Sequence, residues 1–237
     1  MKAFILCAGF GERLRPLTNY IPKPLVMLGD KTVFERIVEK FTNLKIKDIA
    51  INIYHLSYIF ERFLIVKNFD CNIRIYKEKN LYGTGGALKN ISDFINDYVV
   101  VHNGDIVTDF DLLEAFEFHK NSKNDITLCV MERMSDRLLV FDGDMNLVGW
   151  INRNKSLYKK KDKANKNYAF SGVYFVSPNI VKYFPKYDTF SLFDFLISCD
   201  QISVGGFIIK PFYWFDIGNY EKLKIAKEFF SKGGKNE

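Results

Sequence analysis

Residues 6–25 read LCAGFGERLRPLTNYIPKPL and follow a short β-type run, Lys2–Leu6. The glycines at positions 9 and 11 allow a backbone to approach a phosphate chain closely, with its amide groups pointing at the ligand. The stretch has neither the third glycine of a dinucleotide fingerprint nor the Gly-Lys-Ser/Thr of a P-loop. It carries three fixed cations instead, Arg13, Arg15 and Lys23. Taken singly, each cation fits an ordinary surface charge, but together on one loop they predict a cradle for a polyphosphate.

Around this loop, short β-type runs alternate with helical patterns, which predicts an α/β fold with a doubly wound sheet covered by helices on both faces. One helix starts at Thr32, with Glu35 in the capping-box position and an apolar stripe from Val33 to Phe41. The other helices are predicted at 57–66, 86–96, 111–120, 178–183, 190–198 and 220–230. Further strands are predicted at 48–54, 73–76, 98–102, 126–132, 168–176, 202–209 and 213–215, with a hairpin around Asp142-Gly143-Asp144. We predict one domain over 1–237, with halves 1–132 and 133–230 and a flexible tail, 231–237.

The composition narrows the class of protein. The chain has 237 residues, of which 48% are hydrophobic, with 34 basic and 28 acidic side chains. These fractions are those of a globular protein and exclude disorder as the main state. No apolar stretch approaches the roughly 20 residues that cross a bilayer, and the first residues do not form a signal peptide. The four cysteines are scattered without metal-finger spacing, so we expect reduced thiols, a cytoplasmic location and no membrane partner.

The loop also has the form of a known signature. Every fixed position of Leu-x-Ala-Gly-x-Gly-x-Arg-Leu-x-Pro-Leu-Thr stands between Leu6 and Thr18, and Pro-Lys-Pro follows at 22–24. In these positions the chain resembles the sugar-1-phosphate nucleotidyltransferases, and the resemblance implies their Rossmann-like fold with a mixed sheet. It also implies that Arg13 holds the triphosphate and that Lys23 bridges the phosphates of both substrates. The nucleotide-binding positions carried over from this signature are Leu6, Ala8, Gly9 and Gly11.

A second part of the resemblance concerns the base of the nucleotide. Glu78 and the run Leu81–Ala87, which reads LYGTGGA, look like the family's base-recognition loop. The implied nucleotide-binding residues are Glu78, Gly83, Thr84, Gly85 and Gly86, together with Asn103. On pattern alone, glycines that merely start the next helix explain the run equally well.

Two aspartates suit a metal. Asp105 follows a strongly β-branched strand in Asn103-Gly104-Asp105, and Asp216 stands at a second strand end in Trp214–Gly218. Ligands of an open α/β sheet bind at the carboxyl ends of its strands, and Mg²⁺ is typically held by one or two carboxylates plus phosphates. A lone aspartate before a turn is more often a cap. In the family the corresponding pair binds the metal, so the resemblance implies a Mg²⁺ site at Asp105 and Asp216, with Asp105 also catalytic.

The sugar site is predicted from weaker signals. Phe170-Ser171-Gly172-Val173 resembles the family's sugar-contacting strand, which assigns Ser171 and Gly172 to the sugar, although an alternating core strand explains the pattern as well. Asn219 stands where relatives often have threonine or serine and is predicted to contact the sugar or a metal-bound water. The Glu-Lys-Pro motif of many thymidylyl- and guanylyltransferases is missing after the hairpin, where residues 150–153 read WINR.

The implied reaction joins a sugar 1-phosphate to a nucleoside triphosphate and releases pyrophosphate. The phosphate nucleophile is already anionic at neutral pH, so His55, His102 and His119 are predicted to be structural. Short motifs, among them Gly11–Arg13 and Ile51-Asn52, and the compact length favour the N-acetylmuramic acid 1-phosphate uridylyltransferase branch. Heptose- or mannose-1-phosphate guanylyltransferases are the alternative, and a non-catalytic regulatory relative is another. We expect small-molecule substrates and a monomer or small homo-oligomer.

A basic run between 153 and 166 holds seven lysines and arginines against one acid, Asp162, in a chain of net charge +6. Runs of like charge are usually solvated, which favours a mobile loop over a nucleic-acid patch, and we expect no nucleic-acid partner. Our hypothesis for this run is a flap beside the sugar-phosphate site.

Overall fold

A computed structural model describes residues 1–153 and 155–234. In chain order its strands are β1 (Lys2–Leu6), β2 (Met27–Leu28), β3 (Lys31–Thr32), β4 (Asp48–Ile53), β5 (Asn72–Lys77), β6 (Val99–Asn103), β7 (Ile106–Thr108), β8 (Ile126–Met131), β9 (Arg137–Phe141), β10 (Leu147–Asn152), β11 (Lys155–Tyr158), β12 (Lys166–Val176), β13 (Val204–Ile208) and β14 (Trp214–Asp216). Its α-helices are α1 (Val33–Asn43), α2 (Ser57–Val66), α3 (Gly83–Asn90), α4 (Leu112–Ser122), α5 (Leu192–Ser198) and α6 (Tyr220–Ser231).

The chain forms two compact units that interleave along the sequence. Unit 1 comprises residue 1, 82–101 and 110–211, and unit 2 comprises 2–81, 102–109 and the chain from 212 on. The single domain and the halves 1–132 and 133–230 stay predictions.

Unit 2 contains a parallel ladder of β1, β4 and β5, with Ile5 opposite Ile51 and Ile51 opposite Ile75. Helix α1 begins as predicted, because Thr32 and Glu35 form a reciprocal capping box in which the Glu35 N–H donates to Thr32 Oγ1 over 3.1 Å. The predicted apolar stripe of α1 is buried. Local signals therefore define both the start and the inward face of this helix.

A two-stranded ribbon also belongs to unit 2, and it joins strand β7, which the sequence analysis missed, to β14, which it predicted at 213–215. Strand β7 pairs antiparallel with β14, and Asp216 stands opposite Ile106. Strand β7 has three residues, too few to show a period in the sequence. The ribbon fixes the backbone on which two of the predicted site residues sit.

Unit 1 is built mainly from antiparallel pairs. Strand β12 pairs with β8 and β9, the predicted hairpin joins β9 to β10, and β13 runs parallel to β8. The part of the chain that the structure describes combines parallel and antiparallel strand pairs with six α-helices, which confirms the predicted mixed α/β class. Within the described residues, no helix is both long and apolar enough to span a membrane.

Two sequence-based expectations are corrected in unit 1. The basic run is not a continuous loop, because Lys155–Tyr158 forms strand β11 against β10 and Lys159 donates to the Cys199 carbonyl over 2.6 Å. One position of that run, 154, lies outside the described residues. The helix predicted at 86–96 instead spans Gly83–Asn90, so its first turn includes the glycine run.

Candidate active site

The glycine loop after β1 folds into three short 3₁₀ turns, Glu12–Leu14, Leu17–Asn19 and Lys23–Leu25. Gly11 has a φ of +66°, and a Cβ there would lie 2.8 Å from Cγ2 of Thr18, whose hydroxyl donates to the Gly11 carbonyl over 2.9 Å. Gly9 differs, because a Cβ at this exposed position would meet nothing within 4 Å. Gly11 therefore shapes the loop, whereas Gly9 borders open space.

Lys23 is the most enclosed cation of the loop. Only 9% of the residue is exposed, and its ammonium group is ion-paired with Oδ2 of Asp105. Gly104 brings the two together, since its N–H donates to the Leu6 carbonyl over 2.9 Å and a Cβ there would lie 2.5 Å from that oxygen. The structure thus joins two of the predicted catalytic side chains directly.

Asp105 and Asp216 are neighbours through the β7–β14 ribbon. The Ile217 N–H donates to the Asp105 carbonyl over 3.0 Å, one position beyond the pairing of Asp216 with Ile106. The side chains of Asp105 and Asp216 are 29% and 20% exposed. The backbones of the predicted metal pair are therefore adjacent, and both side chains are partly open to solvent.

Two further cations surround Asp216. Lys222 Nζ lies 2.7 Å from Asp216 Oδ2. A Cβ placed on Gly218 would lie 2.7 Å from Asp216 Oδ1 and 2.9 Å from Nη2 of Arg13. The Asp216 carboxylate and the Arg13 guanidinium therefore both lie beside Gly218. With Lys23 at Asp105, three cations stand around two carboxylates. The sequence analysis missed Lys222, which lies outside every motif.

The chemistry of this pair fits Mg²⁺. Carboxylate oxygens are the ligands that this hard cation prefers, and it usually takes only one or two of them together with substrate phosphates. Over the ranges 1–153 and 155–234, no group of three or more His, Cys, Asp and Glu side chains could hold a metal. Two neighbouring carboxylates match a site that substrate phosphates complete.

Asn52 links the glycine loop to Glu78. Its Oδ1 accepts the Cys7 N–H over 2.8 Å, and its Nδ2 donates to Glu78 Oε1 over 2.7 Å. Asn52 and Glu78 are both buried. Burial, with a further contribution from the Asp105 carboxylate, raises the pKa of the Cys7 thiol well above its usual range. The sequence analysis used Ile51-Asn52 only as a motif of one branch of the family and did not predict this link.

The glycine run in unit 1 is packed against its own chain. The Gly85 and Gly86 N–H groups both donate to the Phe190 carbonyl, over 3.1 and 3.3 Å. A Cβ on Gly86 would lie 2.0 Å from the Asp188 carbonyl oxygen, and Gly83 has a φ of +73°. Thr84 Oγ1 accepts the Leu192 N–H over 3.2 Å. These contacts therefore give the glycines a structural role, and base recognition by this run stays a prediction.

The residues predicted to contact the sugar have structural roles as well. Ser171 is fully buried and its Oγ accepts the Val173 N–H over 3.3 Å, while Gly172 has a φ of +89°. Asn219 is the N-cap of α6, with Oδ1 accepting the Lys222 N–H over 2.9 Å. Their assignment to the sugar stays a prediction.

The predicted site residues divide between the units. Unit 2 holds Leu6, Ala8, Gly9, Gly11, Arg13, Lys23, Glu78, Asn103, Asp105, Asp216 and Asn219, and unit 1 holds Gly83, Thr84, Gly85, Gly86, Ser171 and Gly172.

His102 and His119 are buried, and burial lowers their pKa to about 3 and about 4. Both are thus neutral at pH 7, which agrees with the structural role predicted for them.

Known proteins are similar to this chain over most of its length. A model of the family described as "Nucleotidyl transferase" matches residues 2–233. The D-glycero-alpha-D-manno-heptose 1-phosphate guanylyltransferase of Campylobacter jejuni is 28% identical over 226 residues, which cover 92% of this chain and 95% of that protein. The bifunctional protein GlmU of Methanocaldococcus jannaschii is 32% identical over 181 residues, 73% of this chain but only 39% of that protein.

Solved structures share the fold over almost the whole chain. HddC from Yersinia pseudotuberculosis, crystallised with GMP-PN, superposes with a TM-score of 0.78 at 26% identity and covers 97% of this chain and 99% of its own. A putative glucose-1-phosphate thymidylyltransferase from Bacillus anthracis has a TM-score of 0.81 at 19% identity, covering 100% and 98%. The second likeness concerns the fold alone.

Proposed function

Because this chain belongs to the nucleotidyl transferase family, we propose that it transfers a nucleotidyl group to a sugar 1-phosphate. A phosphate oxygen of the sugar 1-phosphate forms a bond to the α-phosphorus of a nucleoside triphosphate. The bond from that phosphorus to the bridging oxygen breaks, and pyrophosphate leaves with the electron pair. The products are a nucleoside diphosphate sugar and pyrophosphate.

The observation that carries this proposal is the arrangement of Lys23, Arg13 and Lys222 around Asp105 and Asp216. The reaction brings two polyanions together, so its main requirement is cationic groups held in place where negative charge concentrates. A phosphate monoester has a second pKa of about 6 and needs no general base at neutral pH. The neutral, buried His102 and His119 agree with that requirement.

In this proposal Asp105 and Asp216 hold Mg²⁺, which when bound neutralises phosphate charge. Lys23 sits in its 3₁₀ turn against Asp105 and orients phosphate oxygens, and Arg13, which is exposed, binds the outer phosphates. Gly9 leaves room for the phosphate chain to approach the backbone. These roles use only side chains of unit 2.

For the base we put guanine ahead of the uracil that the short motifs favour. A carboxylate such as Glu78 only accepts hydrogen bonds, one of which comes from Asn52 Nδ2. Guanine presents two adjacent donors, N1–H and N2–H, whereas uracil presents one N–H between two carbonyl oxygens that a carboxylate repels. The C. jejuni relative of matching length is named a guanylyltransferase. We therefore propose GTP with a heptose- or mannose-type sugar 1-phosphate, and UTP with N-acetylmuramic acid 1-phosphate as the second candidate.

The test is pyrophosphate release with Mg²⁺, crossing four nucleoside triphosphates with muramic acid, glucosamine-derived, mannose and heptose 1-phosphates. We expect turnover with GTP and a heptose or mannose 1-phosphate. Turnover with UTP and the muramic acid phosphate would instead support the second candidate. A folded protein that is silent with every pair would point first to a sugar 1-phosphate outside this panel and second to a nucleotide-binding regulatory role.

Variants then assign the site. Asp105→Asn and Lys23→Met should each lower kcat/KM by about 10²–10³-fold, which is the usual effect of removing one electrostatic contact to the transition state. Lys31→Met is the matched control, because Lys31 pairs with Glu39 and has no contact with the site. Circular dichroism checks that each variant is folded. Near-normal activity of either site variant would refute its role.

A further inference from the structure

Lys222 is a cation at the predicted metal pair to which no part of the signature gives a role. Its Nζ lies 2.7 Å from Asp216 Oδ2. It stands in the first turn of α6, where the Asn219 cap accepts its N–H. The N-terminus of a helix carries partial positive charge, so a lysine in this turn is electrostatically unfavourable for the helix. A lysine placed against this electrostatic preference, beside a candidate site, indicates a functional reason for its position.

Both carboxylates of the pair are therefore occupied by ammonium groups in the free protein, Asp105 by Lys23 and Asp216 by Lys222. An ammonium group at hydrogen-bond distance neutralises the charge that attracts a divalent cation, and it covers the oxygen that would bind it. The Lys222 side chain is 44% exposed, so it can move away without disturbing the core. Lys23 is enclosed and has less freedom.

We propose that Lys222 is a positioning residue that controls entry of the metal: it holds Asp216 in the free protein and releases it when substrate phosphates arrive. This inference rests on the proposed function, because a polyphosphate supplies the competing anion. Lys222 cannot pair with Asp216 and leave that oxygen to a divalent cation at the same time. Binding of the cation and of the triphosphate is consequently coupled, each raising the affinity for the other by the same factor.

The coupling predicts an increase in metal affinity when the lysine is removed. We use Mn²⁺ alone as the probe, since it accepts the same oxygen ligands as Mg²⁺ and its free concentration is measured by electron paramagnetic resonance. Without nucleotide, Lys222→Met should bind Mn²⁺ roughly fivefold or more tightly than the parent protein, since an ion pair of about 1 kcal/mol corresponds to about fivefold. Lys222→Arg keeps the charge and should restore the parent affinity.

Lys224→Met is the matched control. It removes the same charge from the same helix two residues further on, where Lys224 pairs loosely with Glu228 at 3.9 Å and does not contact Asp216. Its Mn²⁺ affinity should equal that of the parent protein. A purely structural role of Lys222, fastening α6 to β14, would lower the stability of Lys222→Met without tightening its metal binding.

Equal Mn²⁺ affinity of Lys222→Met and the parent protein would overturn the inference, as would an equal gain in Lys224→Met. Asp216→Asn shows whether the bound Mn²⁺ belongs to this site, because it should weaken binding. If the parent protein turns over substrate while Lys222→Met binds Mn²⁺ no better, the inference fails and the proposed function stands. If nothing turns over and Asp216→Asn leaves Mn²⁺ binding unchanged, the proposed function fails.

Discussion

Gly9 and Gly11 lie in the same loop but have different surroundings in the structure. A Cβ on Gly11 would meet Thr18, and the φ of +66° is unfavourable for other residues. Gly11→Ala should therefore lower the free energy of unfolding by about 1–3 kcal/mol, from backbone strain and overpacking. Gly9→Ala meets nothing and should leave that free energy within about 0.5 kcal/mol of the parent value.

The same pair separates folding from binding. Because Gly9 borders open space in the loop, Gly9→Ala should raise the Michaelis constant for the nucleoside triphosphate although the protein remains fully stable. Urea unfolding and steady-state kinetics on both variants test this. A stable Gly9→Ala protein with parent kinetics would show that the phosphate chain does not approach this glycine.

At this scale, motifs predict which side chains matter and not how they pair. Lys23 and Asp105 are predicted from the sequence, but their ion pair joins residues 82 positions apart. Asn52 connects Cys7 and Glu78, 45 and 26 positions away, and no local pattern encodes such a bridge. The role of Lys222 is not predicted for another reason, because a lysine on a helix is usually a solvated surface charge.

Among the elements, α1 and α3 show when a sequence defines a helix boundary. The capping box of α1 lies within four residues, so its start is predicted from the sequence. The first turn of α3 is completed by the Phe190 carbonyl, about a hundred residues away, and its predicted start at 86 is wrong by three residues. Strand β7 is missed because its three residues are too few to show a period, whereas its partner β14 overlaps the strand predicted at 213–215.

The dependence of α3 on the 188–190 segment gives a prediction. Replacing a helical glycine by alanine ordinarily stabilises a helix by about 1 kcal/mol. In Gly86→Ala the new Cβ would lie 2.0 Å from a backbone oxygen of Asp188, so that segment must shift. We expect a net loss of about 1–3 kcal/mol in the free energy of unfolding.

Gly143→Ala is the control for this element, since the nearest atom to its Cβ, Asn165 Nδ2, lies 3.8 Å away. Its stability in urea should stay within about 0.5 kcal/mol of the parent value. A Gly86→Ala protein as stable as this control would mean that the segment at 188–190 moves freely, and the structural reason given for the glycine run would be wrong.

For the whole molecule, the sequence predicts the α/β class because alternating strand and helix patterns extend over many residues. It does not predict the division into units, since the chain passes from one unit to the other near residues 81, 101, 109 and 211. Those crossings follow from long-range packing, which no window of the sequence contains. Each unit nevertheless buries one neutral histidine, His102 in unit 2 and His119 in unit 1.

These two histidines give the molecule a defined response to acid. An imidazole in the unfolded chain has a pKa near 6.5, whereas burial lowers the pKa of His102 to about 3 and that of His119 to about 4. Below pH 6.5 the unfolded state therefore binds protons that the folded state does not, and stability falls as the pH falls toward 4. Above about pH 7.5 neither histidine binds protons in either state, and their contribution is constant.

The expected size is large enough to measure. One pKa unit corresponds to about 1.4 kcal/mol, so each histidine should lower the free energy of unfolding by roughly 2 kcal/mol between pH 7.5 and pH 5. His119→Gln removes one of the two contributions. Whatever its stability at pH 7.5, which the lost contacts to Thr127 and Ser177 lower, its further loss on going to pH 5 should be smaller than that of the parent protein by roughly 2 kcal/mol. Urea unfolding at both pH values measures the difference, and an unchanged loss would mean that His119 takes up a proton in the folded protein.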